Sequence, residues 1–183
     1  VKISKTEITG LLIIEPDVFT DDRGYFFESY SKQRYEDYGI PDNFVQDNYS
    51  KSKKGTVRGL HYQVGDKAQG KLCQVIEGEV LDVAVDIRPH SPTFGQYESV
   101  ILSGENQRQF FIPKGFAHGF SVLSDIAVIQ YKCDNIYNSQ FERGIALDDP
   151  DLKIDWKIDL RKAVISEKDL KHPLFRLAEQ NFN

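Results

Sequence analysis

No stretch of this 183-residue chain approaches the roughly 18 consecutive apolar residues that a membrane helix requires, and the N-terminus has no signal-peptide pattern. There is no Gly/Ser-rich or Pro-rich linker, no internal repeat and no low-complexity run. The chain therefore reads as one domain over residues 1–183, long enough to bury a sizeable core. Basic residues are outnumbered, giving a formal net charge of −5. That argues against a general nucleic-acid binder, whose footprint is a basic surface, although a few Arg and Lys can still converge on a small anion. Cysteine is scarce: Cys73 and Cys133, far apart and each inside a strand-like segment, read as buried reduced thiols. Two signatures are missing altogether. Without G-x-G-x-x-G nothing signals a nicotinamide cofactor, and without H-x-H no local spacing suggests a tight metal pair. The expectation is a soluble, cytoplasmic protein with no cofactor, no metal, and neither a nucleic-acid nor a membrane partner.

Aromatic residues, by contrast, are plentiful, with twelve Phe and nine Tyr. Residues 11–14 are a short apolar run closed by Glu15-Pro16-Asp17, which suits a strand and turn. Thr20-Asp21-Asp22-Arg23-Gly24 reads as a loop, residues 25–30 as a strand, and residues 31–40 as a helix that Ser31 can cap and Gly39 can end. From Gly55 onward β-rich runs recur about every ten residues, at 56–63, 71–77, 79–87, 97–102, 108–112, 117–123 and 126–133. In one of them Val80, Asp82, Ala84 and Asp86 share a face and Leu81, Val83 and Val85 the other. This spacing predicts an antiparallel sandwich or barrel rather than a βαβ fold. Towards the end, Asp148-Asp149-Pro150-Asp151 reads as a turn and Ile154-Asp155-Trp156 as extended. Ser166-Glu167-Lys168-Asp169 can open a short helix, and the tail packs against the β core.

Four residues stand out for proton chemistry. His61 shares a strand face with Gln63, and a polar face inside an aromatic-rich protein is costly unless it lines a wet cavity or is fully hydrogen-bonded. An imidazole suits a general base, above all when a carboxylate fixes its tautomer. His118 lies in Pro113-x-Gly115-x-x-His118, a corner leading into a strand. Lys71 stands at a strand entry, where a lysine is more often simply solvated; a fixed ammonium there would stabilise an oxyanion. Tyr131 ends the apolar run Ile126-Ala127-Val128-Ile129-Gln130, where a tyrosine is more often core, yet a phenol can protonate a carbanion. Tyr137, six residues on, offers a flat surface for a base to stack upon.

Longer motifs add a resemblance. Arg58-Gly59-Leu60-His61-Tyr62-Gln63, Gln69-Gly70-Lys71, the run from Gly78 to Arg88, Ser91-Pro92-Thr93-Phe94-Gly95 and the run from Phe111 to Phe120 closely resemble the dTDP-4-dehydrorhamnose 3,5-epimerase family. So do Asp22-Arg23-Gly24 and Phe44-Val45-Gln46-Asp47-Asn48, and the likeness runs from about residue 10 to about residue 172. The resemblance implies a mainly β, cupin-like double-stranded β-helix (a jelly roll) with a few short helices, mostly near the C-terminus. It implies a metal-free enzyme acting on a nucleotide-linked 4-keto-6-deoxy sugar, dTDP-4-dehydro-6-deoxy-D-glucose, on the route to dTDP-L-rhamnose. By the family's pattern His61 resembles the general base for the C3 and C5 protons, and Asp169 the carboxylate that orients it. Lys71 would stabilise the C4 enolate oxygen and Tyr131 would deliver a proton from the opposite face. His118 matches a pocket position near the sugar, and Tyr137 the residue stacking on thymine. Arg23, Phe26, Glu28, Gln46, Asn48, Arg58, Glu142 and Lys168 match substrate-binding positions. The resemblance further implies a homodimer in which the strand from Arg23 to Glu28 crosses into the partner's site.

The chemistry is coherent on its own terms. A proton α to a ketone is removable only when the enolate charge is met, and inversion needs a base on one face and an acid on the other. Three rivals are weighed against this reading. The nearest is an epimerase acting at one carbon, or on another nucleotide sugar; against it, Tyr131 favours the double reaction, whose second protonation needs a well-placed acid. A metal-dependent cupin oxygenase would place a histidine where Gln63 stands. A sugar-binding module would have no need to keep His61, Lys71 and Tyr131.

Overall fold

A computed structural model describes residues 1–41, 43–180 and 182. Two antiparallel sheets face each other. One has six strands in the spatial order β1 (Lys2–Lys5), β2 (Leu12–Glu15), β10 (Gln109–Ile112), β7 (Lys71–Glu77), β12 (Ile126–Cys133) and β5 (Gln46–Lys53). The other has five, in the order β13 (Glu142–Gly144), β6 (Val57–Gln63), β11 (Phe116–Val122), β8 (Glu79–Asp86) and β9 (Tyr97–Ser103). The hairpin β3 (Phe19–Asp21) and β4 (Gly24–Phe26) stands apart from both. Apart from β1–β2 and β8–β9, neighbours in each sheet are non-consecutive in sequence, as in a jelly roll, and the fold is the mainly β, cupin-like one. The chain's one α-helix among the described residues, α1 (Lys32–Glu36), is joined by 3-10 turns at Gly65–Lys67, Leu160–Lys162, Asp169–Lys171 and Phe175–Leu177. No helix of the described residues is long and apolar enough to cross a membrane.

Apolar residues are sorted by strand alternation into three layers. Between the sheets lie Val80, Ala84, Phe116 and Phe120 from one side and Cys73, Val75, Phe110, Ile112 and Ile129 from the other. On the outer face of the five-stranded sheet, Val57, Leu60, Tyr62, Leu81, Val83 and Val85 are covered by the tail through Ile145, Leu147, Leu152, Trp156 and Phe175. Trp156 is 2 % exposed and its indole N–H donates to the Leu147 carbonyl at 2.8 Å, so the tail's largest side chain is also hydrogen-bonded. On the outer face of the other sheet, Leu12, Ile14, Leu72 and Phe111 are capped by Tyr35 and Ile40. Strand β8 is consequently buried on both faces, and its inward set is the expected Val80, Asp82, Ala84 and Asp86.

Several local expectations are corrected. The helix expected over 31–40 lasts only five residues, because Tyr35 is its one buried anchor and the next N–H groups turn back in tighter i→i+3 bonds. Ser31 occupies the N-cap position without a side-chain cap bond, while Gly39 takes the positive φ expected where a helix ends. The strand expected over 25–30 stops at Phe26, since β4 pairs with β3 alone. Ser166 does not open an α-helix; its hydroxyl accepts the Asp169 N–H at 3.1 Å and a single 3-10 turn follows.

A candidate active site between the two sheets

The five-stranded sheet brings His61 to the space between the sheets. In β6 the residue opposite His118 is His61, but the residue opposite Phe120 is Arg58, so three steps on β6 answer two on β11. This bulge puts Arg58, His61 and Gln63 on the inward face, although a spacing of three in a regular strand would split Arg58 from His61. Gly59 and Gly119 permit it: a Cβ on Gly59 would lie 2.7 Å from the Gly119 Cα.

The inward faces enclose a cavity of about 280 Å³ lined by Gln46, Asn48, His61, Gln63, Gln69, Lys71, Tyr131, Tyr137 and Glu142, with Tyr62 at its margin. A second lobe of about 380 Å³ shares His61, Lys71 and Tyr131 and adds Arg58 and His118. His61 also opens onto a third depression with Arg58, Lys168 and Asp169. The imidazole thus stands where three hollows meet.

His61 Nε2 lies 2.8 Å from Asp169 Oδ1, and the Asp169 side chain is 3 % exposed against 30 % for His61. Asp169 Oδ2 accepts the Gly59 N–H at 3.3 Å. Burial works to raise the Asp169 carboxyl, but the hydrogen bond and charge of His61, with the Gly59 N–H, outweigh it and hold the group below the usual carboxylate range. An anionic Asp169 accepts only, so it fixes the imidazole proton on Nε2 and leaves the lone pair on Nδ1.

Lys71 and Tyr131 come from the opposite sheet. Lys71 pairs with Cys133, and Cys73, two residues on, pairs with Tyr131, so all four share the inward face of β7 and β12. Lys71 takes part in no ion pair among the described residues, and its ammonium meets the cavity without a neutralising carboxylate. Burial pushes the Tyr131 phenol up to about 12, so it remains protonated across the physiological range. An imidazole on one sheet, and an ammonium and a phenol on the other, therefore face one cavity.

His118 lies directly opposite His61 in register and is buried. Its Nε2 meets Asp82 Oδ1 at 2.5 Å and Cys73 Sγ at 3.8 Å. Burial holds the His118 pKa below its ordinary value even though Asp82 pulls the other way, so the ring is neutral. The same burial pushes the Cys73 thiol up, and both cysteines are buried and free. Asp82 is a partner that sequence reading had placed on the inward face without a role.

At the mouth, the Tyr137 hydroxyl donates to Glu142 Oε2 at 2.7 Å, and the Lys168 ammonium donates to the same oxygen. Burial tends to raise Glu142, but Lys168 and Tyr137 bring it below its ordinary value. Gln46 Oε1 accepts the Tyr137 N–H at 2.8 Å and Gln46 Nε2 donates to Asn48 at 3.0 Å. The Gln63 amide joins Lys67, Ile136 and Asn138 backbone groups, tying the cavity floor together. Arg58 donates through Nε to Ser52 at 3.1 Å. The strand carrying Gln46, Asn48, Ser50 and Ser52 inward was not anticipated, because a strand that faces a wet cavity has no apolar face to read.

Three expected residues lie elsewhere. Arg23 is paired with Asp21 at 2.5 Å on the exposed hairpin, Phe26 is 70 % exposed, and Glu28 is paired with Arg34 at 2.8 Å. None lines the cavity of its own chain. His172, absent from every motif, stands beside His61 with ring centroids 5.5 Å apart; no sequence signal marked it.

The model of the dTDP-4-dehydrorhamnose 3,5-epimerase family matches residues 5–176. The chain is 51 % identical over 166 residues to a dTDP-4-dehydrorhamnose 3,5-epimerase of Methanothermobacter thermautotrophicus, covering 90 % of this chain and 89 % of that one. It is 49 % identical over 178 residues to that of Escherichia coli K12, covering 97 % and 95 %. A crystal structure of dTDP-6-deoxy-D-glucose-3,5-epimerase from Legionella pneumophila, in complex with dTDP-4-keto-L-rhamnose, matches with a TM-score of 0.94 at 51 % identity, covering 100 % of this chain and 98 % of that one.

Proposed function

Because the chain belongs to the dTDP-4-dehydrorhamnose 3,5-epimerase family, we propose that it inverts both C3 and C5 of dTDP-4-dehydro-6-deoxy-D-glucose, giving dTDP-4-dehydro-L-rhamnose. The observation that carries the reading is the division of labour between sheets, with His61 held by Asp169 on one side of the cavity and Lys71 and Tyr131 on the other.

His61 Nδ1 takes the proton from the carbon beside the ketone, and the C–H electron pair moves into the C–C bond as the ketone oxygen becomes an enolate. The Lys71 ammonium meets that charge in a site partly shielded from water, where a fixed cation is worth more than in bulk solvent. Tyr131 then gives its O–H proton to the same carbon from the opposite face, and the enolate collapses back to the ketone. Solvent reprotonates Tyr131 and takes the proton from His61, and the cycle repeats at the second carbon. Asp169 stabilises the imidazolium that exists between these steps. The neutral His118, backed by Asp82, fills the cavity wall beneath the sugar.

Tyr137 offers its exposed ring to the thymine, while Gln46, Asn48, Arg58, Glu142 and Lys168 supply polar groups around the nucleotide. The hairpin β3–β4 presents Phe19, Tyr25 and Phe26 at 66 %, 58 % and 70 % exposed. Apolar rings so displayed favour insertion into a second copy, with Arg23, Phe26 and Glu28 completing that copy's site. A folded, active monomer in light scattering would refute the shared site.

The deciding experiment follows the C3 and C5 protons of dTDP-4-dehydro-6-deoxy-D-glucose by NMR in D₂O with the enzyme. Loss of both signals, and a rhamnose-configured product after reduction, is expected. Loss at one carbon alone would refute the double inversion.

A further inference from the structure

His172 lines none of the hollows that meet at His61, yet its ring stands edge-on to the His61 ring at 88°. The fold makes room for it deliberately in one respect: Gly144 is the strand partner of His61, and a Cβ there would lie 2.2 Å from His172 Cε1. One ring nitrogen of each histidine and a carboxylate oxygen of Asp169 lie within 4.8 Å of one another. His172 Nδ1 is buried with no hydrogen-bond partner.

We propose that His61, Asp169 and His172 form a binding site for a divalent transition-metal ion of the zinc type, whose occupation switches off the general base. Two imidazole nitrogens and one carboxylate oxygen are a donor set that such ions accept. With metal–ligand distances of about 2.0–2.2 Å, tetrahedral donors stand about 3.4 Å apart. The His61–Asp169 pair at 2.8 Å has only to open slightly and His172 to swing inward. Lys168, whose charge acts on His172, is already paired with Glu142.

The proton balance explains the switch. The neutral His61 ring carries its proton on Nε2, the nitrogen that faces Asp169. When the metal takes that nitrogen, the proton moves to Nδ1, and the lone pair that accepts the substrate proton is gone. No proton is gained or lost overall, and no oxidant or reductant is needed. The inhibitory consequence rests on His61 being the base; the binding does not.

The test uses the full-length enzyme, first freed of metal with a chelator. Titration with Co²⁺ is expected to give saturable visible d–d absorption at one ion per chain, displaced by Zn²⁺. Zn²⁺ is expected to stop deuterium exchange reversibly, with recovery on adding EDTA. His172→Gln and His172→Ala, checked for an unchanged melting temperature, are expected to keep basal exchange yet lose Zn²⁺ sensitivity by at least about 100-fold, beyond the loss for an outer-sphere partner. Wild type with neither absorption nor inhibition, or variants inhibited like wild type, would overturn the site. Absorption that depends on His172 while exchange stays untouched would leave the binding intact and overturn the switching, and with it His61 as the base.

Discussion

Asp169→Asn isolates what the buried carboxylate does for the base. The change is nearly isosteric at a residue 4 % exposed, and the amide oxygen can still accept the Gly59 N–H, so folding is expected to survive. What disappears is the charge facing His61 Nε2 at 2.8 Å. A hydrogen bond to a charged group contributes about 1.5–3 kcal/mol, which at about 1.4 kcal/mol per factor of ten corresponds to a loss of about 10- to 150-fold in rate. If the Asn amide turns its NH₂ towards Nε2, the ring is locked in the wrong tautomer, and the loss extends towards about 10⁴-fold. The effect belongs in kcat, since Asp169 lies behind His61, with KM changed little. Deuterium exchange followed by NMR at saturating substrate reads both carbons at once. With His61 as the proposed base for both carbons, C3 and C5 exchange are expected to fall by the same factor. A kcat within about threefold of wild type, or a loss confined to one carbon, would refute the pairing as the source of the base's strength.

Tyr131→Phe removes an acid but no base, so proton abstraction is expected to persist better than correctly placed protonation at C5. Equal losses in wash-out of substrate protons and in product formation would undermine the separate acid. Lys71→Met keeps the stem and deletes the charge that meets the enolate; kcat is expected to fall by about 10²–10³-fold, and single-turnover kinetics showing unchanged chemistry would remove Lys71 from its role. Asp86 gives a pH test of stability. It is fully buried and accepts from Arg88, Ser91 and Thr93; burial acts to raise its pKa, but these bonds outweigh it and the net shift is downward from 3.8. A depressed folded pKa adds stability that is present above the unfolded value and lost as pH falls through the folded one. Asp86→Asn is therefore expected to lower the unfolding free energy by about 2–3 kcal/mol at neutral pH, with the gap closing in strong acid. Urea titrations showing the same gap at both would refute it.

Apolar and polar spacing determined much of this protein before any coordinates. Residues 126–133 are a strand as read, and the alternation of Val80 to Asp86 is the one that packs, because period-2 side-chain placement is a local property of extended backbone. His61, Lys71 and Tyr131 were legible as polar groups in segments that otherwise bury apolar surface. Other features were not local. Strand β5 has no apolar stripe, since its inward residues face the cavity, and only pairing with β12 makes it a strand. Arg58 reaches the face of His61 through a bulge set by how β6 docks on β11. Asp169 and His172 meet His61 across 108 and 111 residues of chain because the tail folds back over the five-stranded sheet. Composition and spacing thus decided which side chains could do proton chemistry. Which carboxylate meets His61, which sheet carries Lys71 and Tyr131 and which histidine lies beside them were decided by contacts between residues far apart in the chain, and no local pattern encodes those.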